Sequence, residues 1–200
     1  WIRQEMVTFP SSLSQTVWDS NRSRLVRFFP QCGSQMSNPL SCTWEWDGTK
    51  WAKLHDMTQG DPGPRVYNGN GSNMRLFYHC TAGKTTLVIQ DNSTKEYQTW
   101  WWNGFVWTKL SPSWSPAPSE TGSWACDVVN SRVAFWNQGL LIVWNGSSWS
   151  SIETTGYPLY YSPTIAYHPF TKKLYLHGGY ELSGTAIDHD HGAIVARNLC

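Results

Sequence analysis

The chain has 200 residues, 40% of them hydrophobic and 14% charged, a composition that supports one compact core and argues against disorder. With a formal charge of +1 and no basic run, it has no excess of Lys or Arg to neutralise a phosphate backbone, so nucleic acid is a poor candidate partner. No apolar run approaches the roughly 20 residues that cross a bilayer, and the opening WIRQEMVTFP lacks the charged and apolar regions of a signal peptide. Trp1 in place of Met points to a processed product, an excised domain or a portion of a longer chain.

In chain order, Trp1-Ile2-Arg3-Gln4 reads as the tail of a strand followed by a Pro/Ser-containing connection. Trp18 to Phe29 is a polar turn leading into an apolar strand. Cys32 and Cys42 flank a Gly/Ser/Asn/Pro loop that a local disulfide would clip. Thr43 to Leu54 predicts a β-hairpin, because Asp47-Gly48 between alternating aromatic residues favours positive backbone dihedrals and primed turns. A second turn and strand are expected at Tyr67 to Tyr78, with Met74-Arg75-Leu76-Phe77 as the strand, and a second hairpin at Thr99 to Leu110 on Asn103-Gly104. Ser111 to Pro118 is a Pro/Ser-rich loop. The third turn and strand fall at Val129 to Trp136 and the third hairpin, on Asn145-Gly146, at Leu141 to Ile152. A fourth turn and strand span Tyr167 to Gly179, and the last strand covers Ala193 to Ala196. No long segment carries helical periodicity with caps.

The hairpins share one pattern: aromatic, Asp or Asn, Gly, two residues, Trp. Their closing tryptophans Trp51, Trp107 and Trp149 are 56 and 42 residues apart, close to the length of a propeller blade. Much of the load of 14 tryptophans is thereby explained: Trp44, Trp46, Trp51, Trp100, Trp102, Trp107, Trp144 and Trp149 recur with the repeat, which assigns them to packing between blades.

These residues resemble the Kelch-repeat β-propellers, especially the Trp-rich form of exported bacterial proteins, over nearly the whole chain. Blades of that form read as a Tyr-Asp turn, an apolar strand ending in Gly-Gly, then Thr-Trp-x-Trp-Asp-Gly-x-x-Trp-x-x-Leu. The Gly pair is intact only at Gly178-Gly179; Phe29-Pro30, His79-Cys80 and Asn137-Gln138 stand in its place elsewhere, so divergence is expected there in the first three blades. The resemblance implies an all-β fold, a β-propeller of four-stranded blades, about four of them in this chain. Residues 1–10 would be the outer strand of a neighbouring blade, 14–56, 63–112 and 121–153 blades, and 160–200 a partial blade. The blades either belong to a larger ring, which the usual blade number favours, or Trp1 to Glu5 supplies the missing outer strand and closes a four-bladed ring.

Cysteine usage suggests an oxidising compartment: Cys32 with Cys42, Cys80 with Cys126 of the adjoining blade, and Cys200 left over for covalent or homo-oligomeric assembly with a partner chain. Asn21, Asn70, Asn92 and Asn145 each open an N-x-S/T pattern that permits a glycan in a eukaryotic secretory route, Asn92 being the least explained as a turn residue. Asp188-His189-Asp190-His191 contains ligand types for a divalent cation, and strand alternation would put His189 and His191 on one face as a half-site; with no second ligand group in the sequence, a solvated turn before the strand Ala193 to Ala196 is the favoured reading. The aromatics outside the repeat, Trp101, Trp114, Trp124, Tyr157, Tyr160 and Tyr161, are candidates to stack on sugar rings or a partner. Phosphate-loop, H-E-x-x-H and G-x-S-x-G motifs do not occur. Together these features suggest a secreted or cell-surface, non-catalytic binding and assembly module with a protein or glycan partner. A lectin-like propeller is the alternative, and a third is the propeller domain of an oxidase whose catalytic part lies outside this chain; the galactose oxidase relatives carry copper on such a ring.

Overall fold

The computed structural model describes residues 14–32, 40–57, 62–66, 74–91, 93–112, 123–137, 140–153, 160–161, 164–177, 180–181 and 194–195. The first sheet is formed by β1 (Gln15–Asp19), β2 (Arg24–Phe29), β3 (Cys42–Trp46) and β4 (Trp51–Asp56), in that order. The second holds β5 (Met74–His79), β6 (Lys84–Gln90), β7 (Tyr97–Trp102) and β8 (Trp107–Lys109), and the third β9 (Trp124–Asp127), β10 (Arg132–Asn137), β11 (Leu140–Trp144) and β12 (Trp149–Glu153). In the fourth, β14 (Thr164–His168) pairs with β15 (Lys173–His177), which pairs with β17 (Ile194–Val195); a short pair, β13 (Tyr160–Tyr161) and β16 (Tyr180–Glu181), lies beside this region in sequence. Every pairing is antiparallel. The first strand of each sheet lies against the first strand of the next, β1 on β5, β5 on β9 and β9 on β14. Blades meeting along their first strands, with fourth strands outermost, make an all-β propeller of about four blades.

Two recurring turns set this architecture. Between the first and second strands, a side-chain acceptor takes the backbone N–H three residues on: Arg22 N–H donates to Asp19 Oδ1 at 3.1 Å, Ala82 to His79 Nδ1 at 3.2 Å, Asn130 to Asp127 Oδ1 at 3.3 Å and Thr171 to His168 Nδ1 at 3.2 Å. The following residue is left-handed in every blade: Ser23 at φ 52°, Gly83 at 64°, Ser131 at 50° and Lys172 at 55°. Between the third and fourth strands, the Oδ1 of Asp47, Asn103 or Asn145 accepts two successive N–H groups. Positive φ is confined there to the glycine that follows, Gly48 at 100°, Gly104 at 101° and Gly146 at 97°, as in hairpin turns with glycine at the first central position.

The core lies between blades. Val26 and Phe28 of the first blade pack on Met74, Leu76, Leu87, Ile89, Trp100, Trp102 and Trp107 of the second. Phe77 and Val88 pack on Val133, Phe135, Ile142, Trp144 and Trp149 of the third, whose Ala134, Trp136, Leu141 and Val143 meet Ile165, Leu174 and Leu176 of the fourth. Each sheet thus presents one face to the blade before it and the other to the blade after, as strand alternation requires. The closing Trp of one hairpin also reaches back to the previous blade: Trp107 Nε1 donates to Thr43 Oγ1 and Trp149 Nε1 to Thr99 Oγ1, each at 2.8 Å. These bonds satisfy the polar ends of buried indoles.

Two disulfides add covalent ties. Cys32–Cys42 clips the β2–β3 connection, with Cα atoms 5.7 Å apart, and Cys80–Cys126 joins the second blade to the third, with Cα atoms 6.2 Å apart.

One expectation needs correction. Met74 to Phe77 belongs to the first strand of its blade and is not the counterpart of Arg24 to Phe29; that counterpart is Lys84 to Gln90, because the acceptor and left-handed residue of the turn are His79 and Gly83. Ile89-Gln90 therefore stands where the Gly pair was sought. The first three blades, which lack the Gly pair, are complete four-stranded sheets, with Phe29 fully buried in the first. Trp1 to Glu5 and Gly178-Gly179 lie outside the described residues.

Candidate functional site

Both recurring turns gather at the same end of the propeller. Asn21 N–H donates to the Tyr78 hydroxyl at 3.0 Å, and a Cβ on Gly83 would lie 3.5 Å from Asn21 Cγ, so the first-strand turns of blades one and two touch. A Cβ on Gly146 would lie 3.7 Å from His79 Nε2, which places the third blade's hairpin turn on the second blade's first turn. At the opposite end, Ile165 N–H donates to Ser123 Oγ at 2.5 Å, so β9 and β14 start side by side and run in the same direction.

A polar network anchors this end between blades one and two. Asp19, 1% exposed, accepts Arg22 Nε at 2.9 Å and the Thr85 hydroxyl of the second blade at 2.9 Å through Oδ2. Arg22 Nη1 also donates to Glu45 Oε1 at 2.6 Å, and the same oxygen accepts Trp102 Nε1 at 2.6 Å. In the next blade the position of Glu45 is taken by Trp101, which offers no acceptor, and the buried Trp144 Nε1 has no hydrogen-bond partner among the described residues. Arg132 Nε pairs with Asp127 Oδ2 at 2.9 Å in the third blade.

Around this network runs a groove of about 370 Å³, lined by Arg22, Arg24, Glu45, Asp47, Leu54 and Phe105 among others. The Thr49 hydroxyl, then the N–H groups of Lys50 and Thr49, and more weakly the charge of Arg24, hold the Asp47 carboxyl well below the usual range. Phe105 overhangs the groove at 79% exposure. Most of the large exposed apolar side chains sit at this same end: Phe105 and Val106 in a hairpin turn, Val128, Val129 and Phe170 in first-strand turns, and Trp18 beside one. Phe170 is 91% exposed.

His79 is buried at the joint of blades two and three. Desolvation pushes its pKa below the ordinary histidine value, opposed in part by the backbone of Trp144 and its own backbone. A histidine with a depressed folded-state pKa gives stability that is complete above the unfolded value near 6.5 and declines as pH falls below it toward the folded value. Urea midpoints are therefore expected to fall between pH 7 and pH 5 in the native protein, and to fall less in His79→Asn.

The sequence candidates fare unevenly. Trp124 is stacked on Phe77, with ring centroids 4.2 Å apart, and Trp101 packs against the same inter-blade cluster; both are half-buried. Tyr160 and Tyr161 form β13, which pairs with Tyr180 and Glu181 of β16. Asn21 and Asn145 are exposed; the Asn145 amide is engaged in its own turn, with Nδ2 donating to Ser148 Oγ at 3.1 Å. Trp114, Tyr157, Asn70, Asn92, His189, His191 and Cys200 lie outside the described residues. Among the described residues no group of three or more His, Cys, Asp or Glu side chains is placed to hold a metal ion. Sequence reading missed the turn end because Phe105, Val106, Val128, Val129 and Phe170 are isolated apolar residues; only their shared location at turn tips signals a surface.

No protein-family model matches the chain, and no curated protein matches it in sequence. A solved structure titled as the crystal structure of a nidogen/laminin complex contains a chain similar to this one, with 15% sequence identity, a TM-score of 0.41 and coverage of 81% of this chain. The likeness extends over 54% of that chain, so this chain spans about half the length of that structural neighbour.

Proposed function

We propose that the chain is a non-catalytic binding and assembly module of a secreted or cell-surface protein, presenting the turn end of its propeller to a protein or glycan partner. The observation that carries this reading is the gathering of exposed apolar side chains at one end, with Phe170 at 91% and Phe105 at 79% exposure. Water-exposed aromatic and aliphatic groups concentrated on one surface mark interaction sites. The two disulfides support an oxidising compartment. Kelch-like kinship is supported by the hairpin pattern and by the turn that recurs in every blade.

The test is binding of the purified protein to immobilised extracellular-matrix and cell-surface fractions and to a glycan array. Phe105→Ser and Phe170→Ser together should abolish capture while leaving the melting temperature within a few degrees, since both side chains are exposed. Capture unaffected by these substitutions would refute the turn end as the binding surface. Catalytic turnover by this chain alone would refute the non-catalytic reading.

A further inference from the structure

We propose that the turn end docks an acidic polypeptide segment carrying apolar anchor residues, an inference that rests on reading this end as the binding surface. The acids of this end are already engaged. Asp19 and Glu45 pair with Arg22, Asp127 pairs with Arg132, and Asp47 commits Oδ1 to its own turn and faces Arg24.

The lysines are not so engaged. Lys50 and Lys172 are exposed, Lys84 and Lys173 partly so, and none of these has an ion-pair partner among the described residues. Among the described residues of a chain with a formal charge of only +1, the turn tips therefore present a positive field.

The exposed apolar groups stand within this field. Lys172 and Lys173 follow Phe170 after Thr171, and β9 lies against β14, so the turn holding Val128 and Val129 neighbours the one holding Phe170. Lys50 belongs to the same turn as Asp47, which lines the groove under Phe105.

This chemistry suits a polypeptide better than a sugar. Valine offers a sugar neither an aromatic face nor a hydrogen bond, whereas it packs well against aliphatic anchors. Acidic residues on the partner would steer association and fix orientation, and apolar anchors would supply most of the affinity.

Fluorescence anisotropy with the full chain decides the matter. The probes are a labelled peptide alternating Glu with Leu and Phe, the same peptide with Lys for Glu, the same with Ser for Leu and Phe, and a sulfated oligosaccharide. Only the first should bind, more weakly as salt rises, and Phe170→Ser or the pair Lys172→Glu and Lys173→Glu should each weaken it about tenfold or more. Equal binding of the acidic and basic peptides, or none by the acidic one, overturns the proposal. So does binding of the oligosaccharide that depends on the lysines but not on Phe170. The matrix assay separates the two levels: if capture there is lost in Phe105→Ser with Phe170→Ser while the acidic peptide fails to bind, the binding surface stands and the acidic segment falls. If capture is unchanged by those substitutions, the surface itself falls.

Discussion

Serine at both Cys80 and Cys126 is expected to lower the unfolding free energy by about 4 kcal/mol. The bond closes a loop of 46 residues, nearly one whole blade, so its loss returns much chain entropy to the unfolded state. Cys32–Cys42 closes only 10 residues, and the same reasoning gives a little under 3 kcal/mol for serine at both of its positions. Urea unfolding of the two double variants beside the native protein checks the order. A larger loss from the Cys32–Cys42 pair would mean that local packing, and not loop closure, governs these bonds. Location adds to the argument, because Cys80 sits in the turn capped by His79 and Cys126 lies in the strand that faces it. Without the bond, blades two and three remain joined by Phe77, Val88 and their partners, so the fold should survive in weakened form.

Glu45→Leu is expected to cost about 3 kcal/mol in the same measurement, at the low end for breaking a buried pair because the Arg22 side chain is 23% exposed and retains some hydration. The substitution removes one oxygen that serves two donors, leaving Trp102 Nε1 without an acceptor at a side chain only 1% exposed. Glu45→Gln keeps an acceptor and should cost clearly less. Gly104→Ala reaches the same network from the other side: at φ 101° the new Cβ would lie 2.7 Å from Arg22 Nη1 and displace it from Glu45. Gly48→Ala, at φ 100° with nothing within 4 Å of its Cβ, carries only the backbone strain of about 1–2 kcal/mol. Equal losses from the two alanine variants would show that Arg22 yields without consequence.

The fold was legible in sequence where one residue type does one job at a fixed place. Asp47-Gly48, Asn103-Gly104 and Asn145-Gly146 meet a steric need that few other pairs can meet, so the hairpins could be placed by eye. The first-strand turns were harder, because Asp and His both serve as the acceptor and Ser, Gly and Lys all adopt the left-handed position. The polar run Asn68 to Asn73 therefore imitated a turn that lies at His79 to Gly83. The cysteine pairs were readable because Cys80 and Cys126 sit about one repeat apart, which stacks them on adjacent blades. The candidate surface was not readable, since Trp124 and Phe170 look alike as aromatic residues outside the repeat. Only the stacking of Trp124 on Phe77 and the position of Phe170 at a turn tip tell them apart.

The backward reach of the closing tryptophans gives the propeller a gradient along the chain. Trp107 holds Thr43 and Trp149 holds Thr99, but the corresponding position in the third blade is Leu141, which cannot accept a hydrogen bond. Among the described residues the joint between the third and fourth blades shows apolar packing and the bond of Ile165 to Ser123, and the bridge at Cys80–Cys126 lies one joint earlier. Opening motions should accordingly spare the two joints that the tryptophan bonds and the Cys80–Cys126 bridge hold, so that blades one to three behave as one cooperative unit.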